Sequence, residues 1–147
     1  MKPEDEIEGR RLRILVVDDE KDIVEYLTAV LEDAGYEVLG LNKAEGALEA
    51  MRESMPDMVL LDIMMPGRTG LSLYASIRRD PDAKGIPVVI ISGYARKDEF
   101  KLMDLVGPDS EELPAPEGYL EKPISVPGLL ETLERILARP AKRGSHV

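Results

Sequence analysis

The chain contains no cysteine. That excludes disulfide frameworks, thiolate metal centres and cysteine nucleophiles together, and it fits a reducing compartment, so a cytoplasmic location is expected. Long apolar runs are also missing. None approaches the roughly 20 residues needed to cross a bilayer, and the opening MKPEDEIEGRR lacks the basic-then-apolar layout of a signal peptide. Positive charge is scarce: 19 Lys and Arg stand against 29 Asp and Glu, a formal net charge of −10. A field of that sign works against non-specific binding to nucleic acid or anionic lipid, so neither nucleic acid nor membrane is an expected partner. Internal repeats are absent too. What remains is 147 residues, 44% of them hydrophobic, enough for one domain with a real core and too few for two.

Short apolar runs alternate with amphipathic stretches five times, the rhythm of an α/β sandwich. Leu12 to Val17, Met58 to Leu61 and Val88 to Ile91 are continuous β-branched or leucine runs, as expected of parallel strands covered on both faces. Tyr36 to Leu39 and Gly118 to Leu120 are shorter and read as outer strands. Ile23, Val24, Leu27, Val30, Leu31 and Ala34 recur at helical spacing, and Gly35 supplies a left-handed stop. Further helices are expected over Ala44 to Met55, Leu71 to Arg78, Phe100 to Leu105 and Leu129 to Leu137. The predicted domain therefore spans 11–139. Residues 1–10 are charged and patternless, and 140–147 form a basic polar tail, so both ends are expected to be loose. Gly107 to Gly118, GPDSEELPAPEG, is an acidic, proline-rich loop of unusual length for a compact domain.

In a doubly wound sheet, ligands bind beyond the carboxyl ends of the strands. Asp18 and Asp19 follow the first strand, Asp62 the third, Ser92 the fourth and Lys122 the fifth. Singly, each has an ordinary explanation. Asp19 could cap the first helix, Asp62 could open a turn, Ser92 could cap the next helix and Lys122 could be a solvated lysine. Jointly they are harder to dismiss, because three converging carboxylates repel one another unless a cation offsets them. Mg2+ suits an oxygen-only donor set, and the region has no cysteine or histidine to favour zinc. Magnesium, a carboxylate and an amine together point to phosphoryl chemistry, with Asp62 as the nucleophile and Ser92 as a hydrogen-bonding partner of the phosphoryl oxygens.

The stretches ILVVDDE, VLLDIMMPGRTG, VVIISGYA and YLEKPI, in this order, resemble the receiver domain of two-component response regulators from Arg11 to Arg139. The resemblance implies a five-stranded parallel sheet in the order 2-1-3-4-5, a flavodoxin-like (βα)5 fold with five helices. It implies that Asp62 takes a phosphoryl group from a sensor histidine kinase or phosphotransfer protein, so that the chain catalyses only its own phosphorylation and dephosphorylation. Asp18, Asp19, Asp62 and the backbone carbonyl of Met64 would hold Mg2+, Asp19 directly and Asp18 largely through water, while Glu20 would serve the first helical turn. Lys122 would pair with the phosphoryl group, Ser92 and Tyr119 would act as the switch, and the Lys122-Pro123 bond would be cis. A downstream target protein would read the face formed by the fourth helix, the fifth strand and the last helix, with output in another protein or in a region beyond this sequence, and a homodimer could form through the first and last helices or through the face of the fourth and last helices. Ser92 and Lys122 stand 30 positions apart, more than the family pattern, with the excess in the acidic loop. Met64 and Tyr94 are poor water-positioning groups, so slow self-dephosphorylation is expected. A haloacid-dehalogenase-type phosphatase is the alternative; it would carry an acid at the position of Met64.

Overall fold

Valine, isoleucine and leucine in unbroken runs favour extended backbone that is buried on both faces. The computed structural model, which describes residues 11–63, 69–93 and 113–145, forms strands where those runs fall. They are β1 (Arg13–Val17), β2 (Glu37–Leu41), β3 (Met58–Asp62), β4 (Val88–Ser92) and β5 (Gly118–Glu121). All pair in parallel, in the order β2-β1-β3-β4-β5. The two weaker runs form the sheet's edges, where β2 has no buried residue and β5 only Gly118. Four helices are present among the described residues: α1 (Lys21–Asp33), α2 (Ala47–Ser54), α3 (Thr69–Arg79) and α4 (Val126–Ser145). The helix expected over Phe100 to Leu105, residues 1–10 and the first half of the acidic loop lie outside the described residues. No described helix is long and apolar enough to cross a membrane.

Successive side chains of a strand point to opposite faces, and the core divides accordingly. Leu15, Val17, Val59, Leu61, Val88 and Ile90 pack against Ala47 and Met51 of α2 and Leu73, Tyr74 and Ile77 of α3. Ile14, Val16, Met58, Leu60, Val89 and Ile91 pack against Leu27 and Leu31 of α1 and Leu129, Leu133 and Ile136 of α4. Each fully buried leucine or isoleucine contributes roughly 1.5–3 kcal/mol by leaving water. The chain lays β2 on one side of β1 and returns to place β3 on the other. The strand order therefore reverses between β1 and β3, and a crevice opens there at the carboxyl edge.

Several boundaries differ from the sequence expectation, for local reasons. The second helix starts at Ala47 rather than Ala44, because Gly46 enters in the left-handed region at φ 84°. It closes on Met55, also left-handed at φ 46°. β3 and β4 each run one residue further, so Asp62 and Ser92 are strand residues and share its rigidity. The last helix continues past Pro140 to Ser145 instead of giving way to a loose tail there. One proline removes a single backbone donor, which kinks or weakens a helix without having to end it.

The acidic loop is tied down at its carboxyl end by a buried arginine. Arg78 of α3 stacks on Tyr74 with its guanidinium carbon 5.0 Å from the ring centroid. It donates to the Tyr74 hydroxyl at 3.0 Å, to the carbonyls of Lys84 and Ile86 at 3.1 Å each, and to Glu117 Oε1 at 2.7 Å. The Tyr74 hydroxyl in turn donates to the carbonyl of Pro114. Glu117 Oε1 also accepts from the Val88 amide at 2.7 Å, which links the approach to β5 with the start of β4.

Candidate functional site

Parallel strands deliver their carboxyl ends to one edge, and the ladder itself sets the height of each functional side chain. Val17 lies opposite Leu61, so the next step along both strands brings Asp18 alongside Asp62. Asp62 lies opposite Ile91, one residue before Ser92. Beyond β5, the Lys122 amide donates to the Ser92 carbonyl at 2.9 Å, and the Asp18 amide donates to Leu41 at 3.1 Å. Backbone hydrogen bonds thus carry the register into the site. Asp18, Asp62 and Ser92 are buried, and Asp19 is exposed at the rim.

The structure brings together five of the residues singled out from sequence. One carboxylate oxygen from each of Asp18, Asp19 and Asp62 lies within 4.8 Å of the other two. Lys122 Nζ is 3.0 Å from Asp18 Oδ2 and 3.6 Å from Asp62 Oδ2. Ser92 ends β4, the strand beside that of Asp62, and its carbonyl accepts from the Lys122 amide. Like charges about 4 Å apart repel by roughly 1 kcal/mol in water and about 4 kcal/mol at an effective dielectric of 20. A single lysine therefore leaves three carboxylates undercompensated. Burial alone would lower the Lys122 pKa, but the hydrogen bond to Glu20 and the nearby negative charges of Asp18 and Asp62 outweigh it, and the ammonium is held above the usual lysine range.

Asp18 uses its two oxygens differently. Oδ1 accepts from the Glu20 amide at 2.8 Å, which fixes the carboxylate. Oδ2 accepts no hydrogen bond although it is fully buried. Lys122 is near enough to form an ion pair with it but is not aligned to donate. A buried carboxylate oxygen short of hydrogen bonds, beside two more carboxylates, is a donor set for a hard divalent cation. Nothing among these oxygen donors favours a softer metal.

One ordinary explanation fails in the structure. Asp19 does not cap α1, because the cap residue is Glu20. Glu20 stands at the helix start as expected, its carbonyl accepting from the Ile23 and Val24 amides, but its side chain makes no cap hydrogen bond, and its Oε1 lies 2.7 Å from Lys122 Nζ. The reason is reach. Once Asp18 turns the chain at the Glu20 amide, the longer glutamate side chain extends across the mouth of the site to β5.

Tyr119 lies opposite Ile90 in the ladder and packs partly buried on the α2 and α3 side of the sheet. Burial raises its phenol pKa. The Lys122-Pro123 peptide bond is cis. Met64 and Tyr94 lie outside the described residues. Sequence reasoning missed Gly70, in the first turn of α3. A Cβ at that position would stand 2.3 Å from the Asp62 carbonyl oxygen and 2.6 Å from Ile63 Cα, so only glycine lets α3 lie against the end of β3. Its one sequence signal, a glycine at a helix start, is shared by many loop glycines.

A doubly wound parallel sheet with an acidic cluster and a lysine at its switch point defines a receiver of the two-component type. The chain belongs to that family: the response regulator receiver domain matches residues 14–134. The phosphate regulon transcriptional regulatory protein PhoB of Pseudomonas aeruginosa is 35% identical over 127 residues, 86% of this chain and 52% of that protein. This chain therefore spans about half of PhoB's length. The polar-differentiation response regulator DivK of Brucella anthropi is 29% identical over 124 residues, 84% of this chain and 94% of DivK. Among solved structures, the Vibrio cholerae chemotaxis protein CheY4 superposes with a TM-score of 0.73 at 28% identity, covering 86% of this chain and 99% of that one.

Proposed function

We propose that this receiver is a phosphorylation-dependent switch that accepts a phosphoryl group on Asp62 from a sensor histidine kinase or phosphotransfer protein. The observation that carries the reading is the meeting of Asp18, Asp19 and Asp62 with Lys122 at the sheet's switch point. A carboxylate oxygen of Asp62 attacks phosphorus as the donor's P–N bond breaks, and the bonding pair returns to the donor imidazole. Rigid placement on β3 holds that oxygen in line, and the Lys122 ammonium, kept protonated by its acidic neighbours, meets the charge gathering on the phosphoryl oxygens. Asp18, Asp19 and Asp62, with the Met64 carbonyl, would hold Mg2+, which when bound supplies further charge neutralisation. Asp62 is thus an acceptor, and the chain turns over no substrate besides its own phosphoryl group.

Modification is read out by packing. A phosphoryl group on Asp62 draws Ser92 inward along β4 and vacates space for the Tyr119 ring, which reshapes the surface beside β5. The acidic chain favours a downstream protein over nucleic acid as the direct target, in the cytoplasm where sensor kinases act. Incubation with acetyl phosphate and magnesium tests the assignment. Intact-mass analysis should show one added phosphoryl group on the wild type and none on Asp62→Asn. Equal labelling of the variant would refute Asp62 as the acceptor.

A further inference from the structure

Lys122 has three donors and faces three acids, and the partition among them is uneven. Glu20 Oε1 is nearest at 2.7 Å, Asp18 Oδ2 follows at 3.0 Å, and Asp62 Oδ2 is farthest at 3.6 Å. In this state the ammonium leans toward the rim, away from the oxygen that accepts the phosphoryl group. The three partners also differ in solvation. The Glu20 side chain is 59% exposed, whereas those of Asp18 and Asp62 are 0% and 3% exposed. An exposed pair is screened and cheap to separate, while removing a partner from a buried carboxylate is costly. When Lys122 moves onto a phosphoryl oxygen, the partner it exchanges is therefore Glu20.

A second observation argues that this contact is more than an incidental surface pair. Glu20 occupies the cap position of α1, where a side chain could satisfy free amides at the helix start, and it makes no such bond. It bridges instead to a residue 102 positions away. The backbone entry to α1 is set by the Asp18 Oδ1 bond to the Glu20 amide. The residue that orients this glutamate is thus part of the acidic cluster itself.

We propose that Glu20 is a positioning residue for phosphorylation: it holds Lys122 in the unmodified protein and competes with the phosphoryl group for that ammonium, which lowers the stability of the modified state. The inference rests on the assignment of Asp62 as acceptor. It also separates contact from charge. Glu20→Gln keeps the length and loses the charge, and Glu20→Asp keeps the charge but is one methylene too short to span the same gap. Asp22→Asn removes an exposed acid from the first turn of α1 and calibrates the loss of one nearby negative charge.

The test is the affinity for beryllofluoride, a phosphoryl mimic, at saturating magnesium, measured by NMR or fluorescence titration on the full chain. Because exposed pairs are worth roughly 0.2–1 kcal/mol, Glu20→Gln and Glu20→Asp should both tighten binding by about 1.4- to fivefold, and Asp22→Asn by less. Thermal unfolding of the unliganded variants should match the wild type, given the exposure of the side chain. Unchanged or weaker binding in Glu20→Gln overturns the proposal, as does a wild-type value for Glu20→Asp, which would reduce the effect to charge alone. A wild type that fails to bind beryllofluoride would refute the phosphoryl reading of Asp62, and this inference with it.

Discussion

Replacing Gly70 by alanine should damage the site more than its small size suggests. The added Cβ would lie 2.3 Å from the Asp62 carbonyl oxygen, 1.1 Å short of the 3.4 Å at which ordinary contact begins. It would also stand 2.6 Å from Ile63 Cα. Both obstacles are backbone, so no side chain can swing aside; either α3 backs away or the end of β3 shifts. Overpacking of this kind costs about 1–3 kcal/mol. Against it stands the better helix propensity of alanine, roughly 1 kcal/mol in a helix interior and less in a first turn. The net expectation is a destabilisation of about 1–2 kcal/mol. The functional loss should be larger, because the displaced carbonyl belongs to Asp62, the proposed acceptor, and a misplacement of about 1 Å can cost on the order of 100-fold in rate. Urea unfolding and the rate of labelling by acetyl phosphate would be measured beside Gly85→Ala, whose Cβ meets nothing within 4 Å. Should Gly70→Ala match that control in both assays, the close approach of α3 to β3 would not be what holds Asp62 in place.

Two further predictions concern the supports of the fold. Arg78→Met should destabilise by about 3–5 kcal/mol, since it strips four hydrogen bonds from a side chain that is 2% exposed and leaves Glu117 without its counter-charge; a loss under about 1 kcal/mol in urea would contradict the central role given to this arginine. Asp80 should govern part of the acid limb of stability. Its Oδ1 lies 2.6 Å from Arg52 and its Oδ2 accepts from the Asp82 and Ala83 amides at 3.0 and 2.8 Å. The Arg52 hydrogen bond, ahead of those amides, holds the carboxyl below the usual carboxylate range despite burial. A depressed folded value means that the contribution is present above the ordinary carboxylate pKa of about 3.9 and lost as pH falls through the folded value. The stability gap between wild type and Asp80→Asn should therefore shrink below about pH 4; a gap that stays constant between pH 6 and the acid transition would refute the assignment.

How far the sequence reaches can be traced through the site residue by residue. Leu12 to Val17, Met58 to Leu61 and Val88 to Ile91 declare their strands because burial on both faces leaves a signature that only a continuous apolar run carries. Asp18, Asp19, Asp62, Ser92 and Lys122 are legible for a related reason: a parallel sheet sends whatever follows its strands to one edge, so position in the chain already predicts proximity. The order of the strands came from the family resemblance, since local patterning does not say which side of β1 receives β2.

Distance and direction belong to the tertiary structure alone. Glu20 reads as a helix-start acid, and only the path of the chain after Asp18 aims it at Lys122, 102 positions away. Gly70 reads as a loop glycine, and only the seating of α3 against Asp62 makes its missing side chain necessary. Arg78 reads as a solvated helix-end cation until the fold closes Tyr74, Glu117 and two carbonyls around it. The dividing line is physical. Hydrophobic periodicity and strand-end chemistry are properties of neighbours along the chain, whereas an ion pair or a close backbone approach depends on segments that meet only once the sheet has assembled. The pattern LVVDDE therefore announced that a charged site would form, and the folded chain decided that its third acid belongs to the lysine.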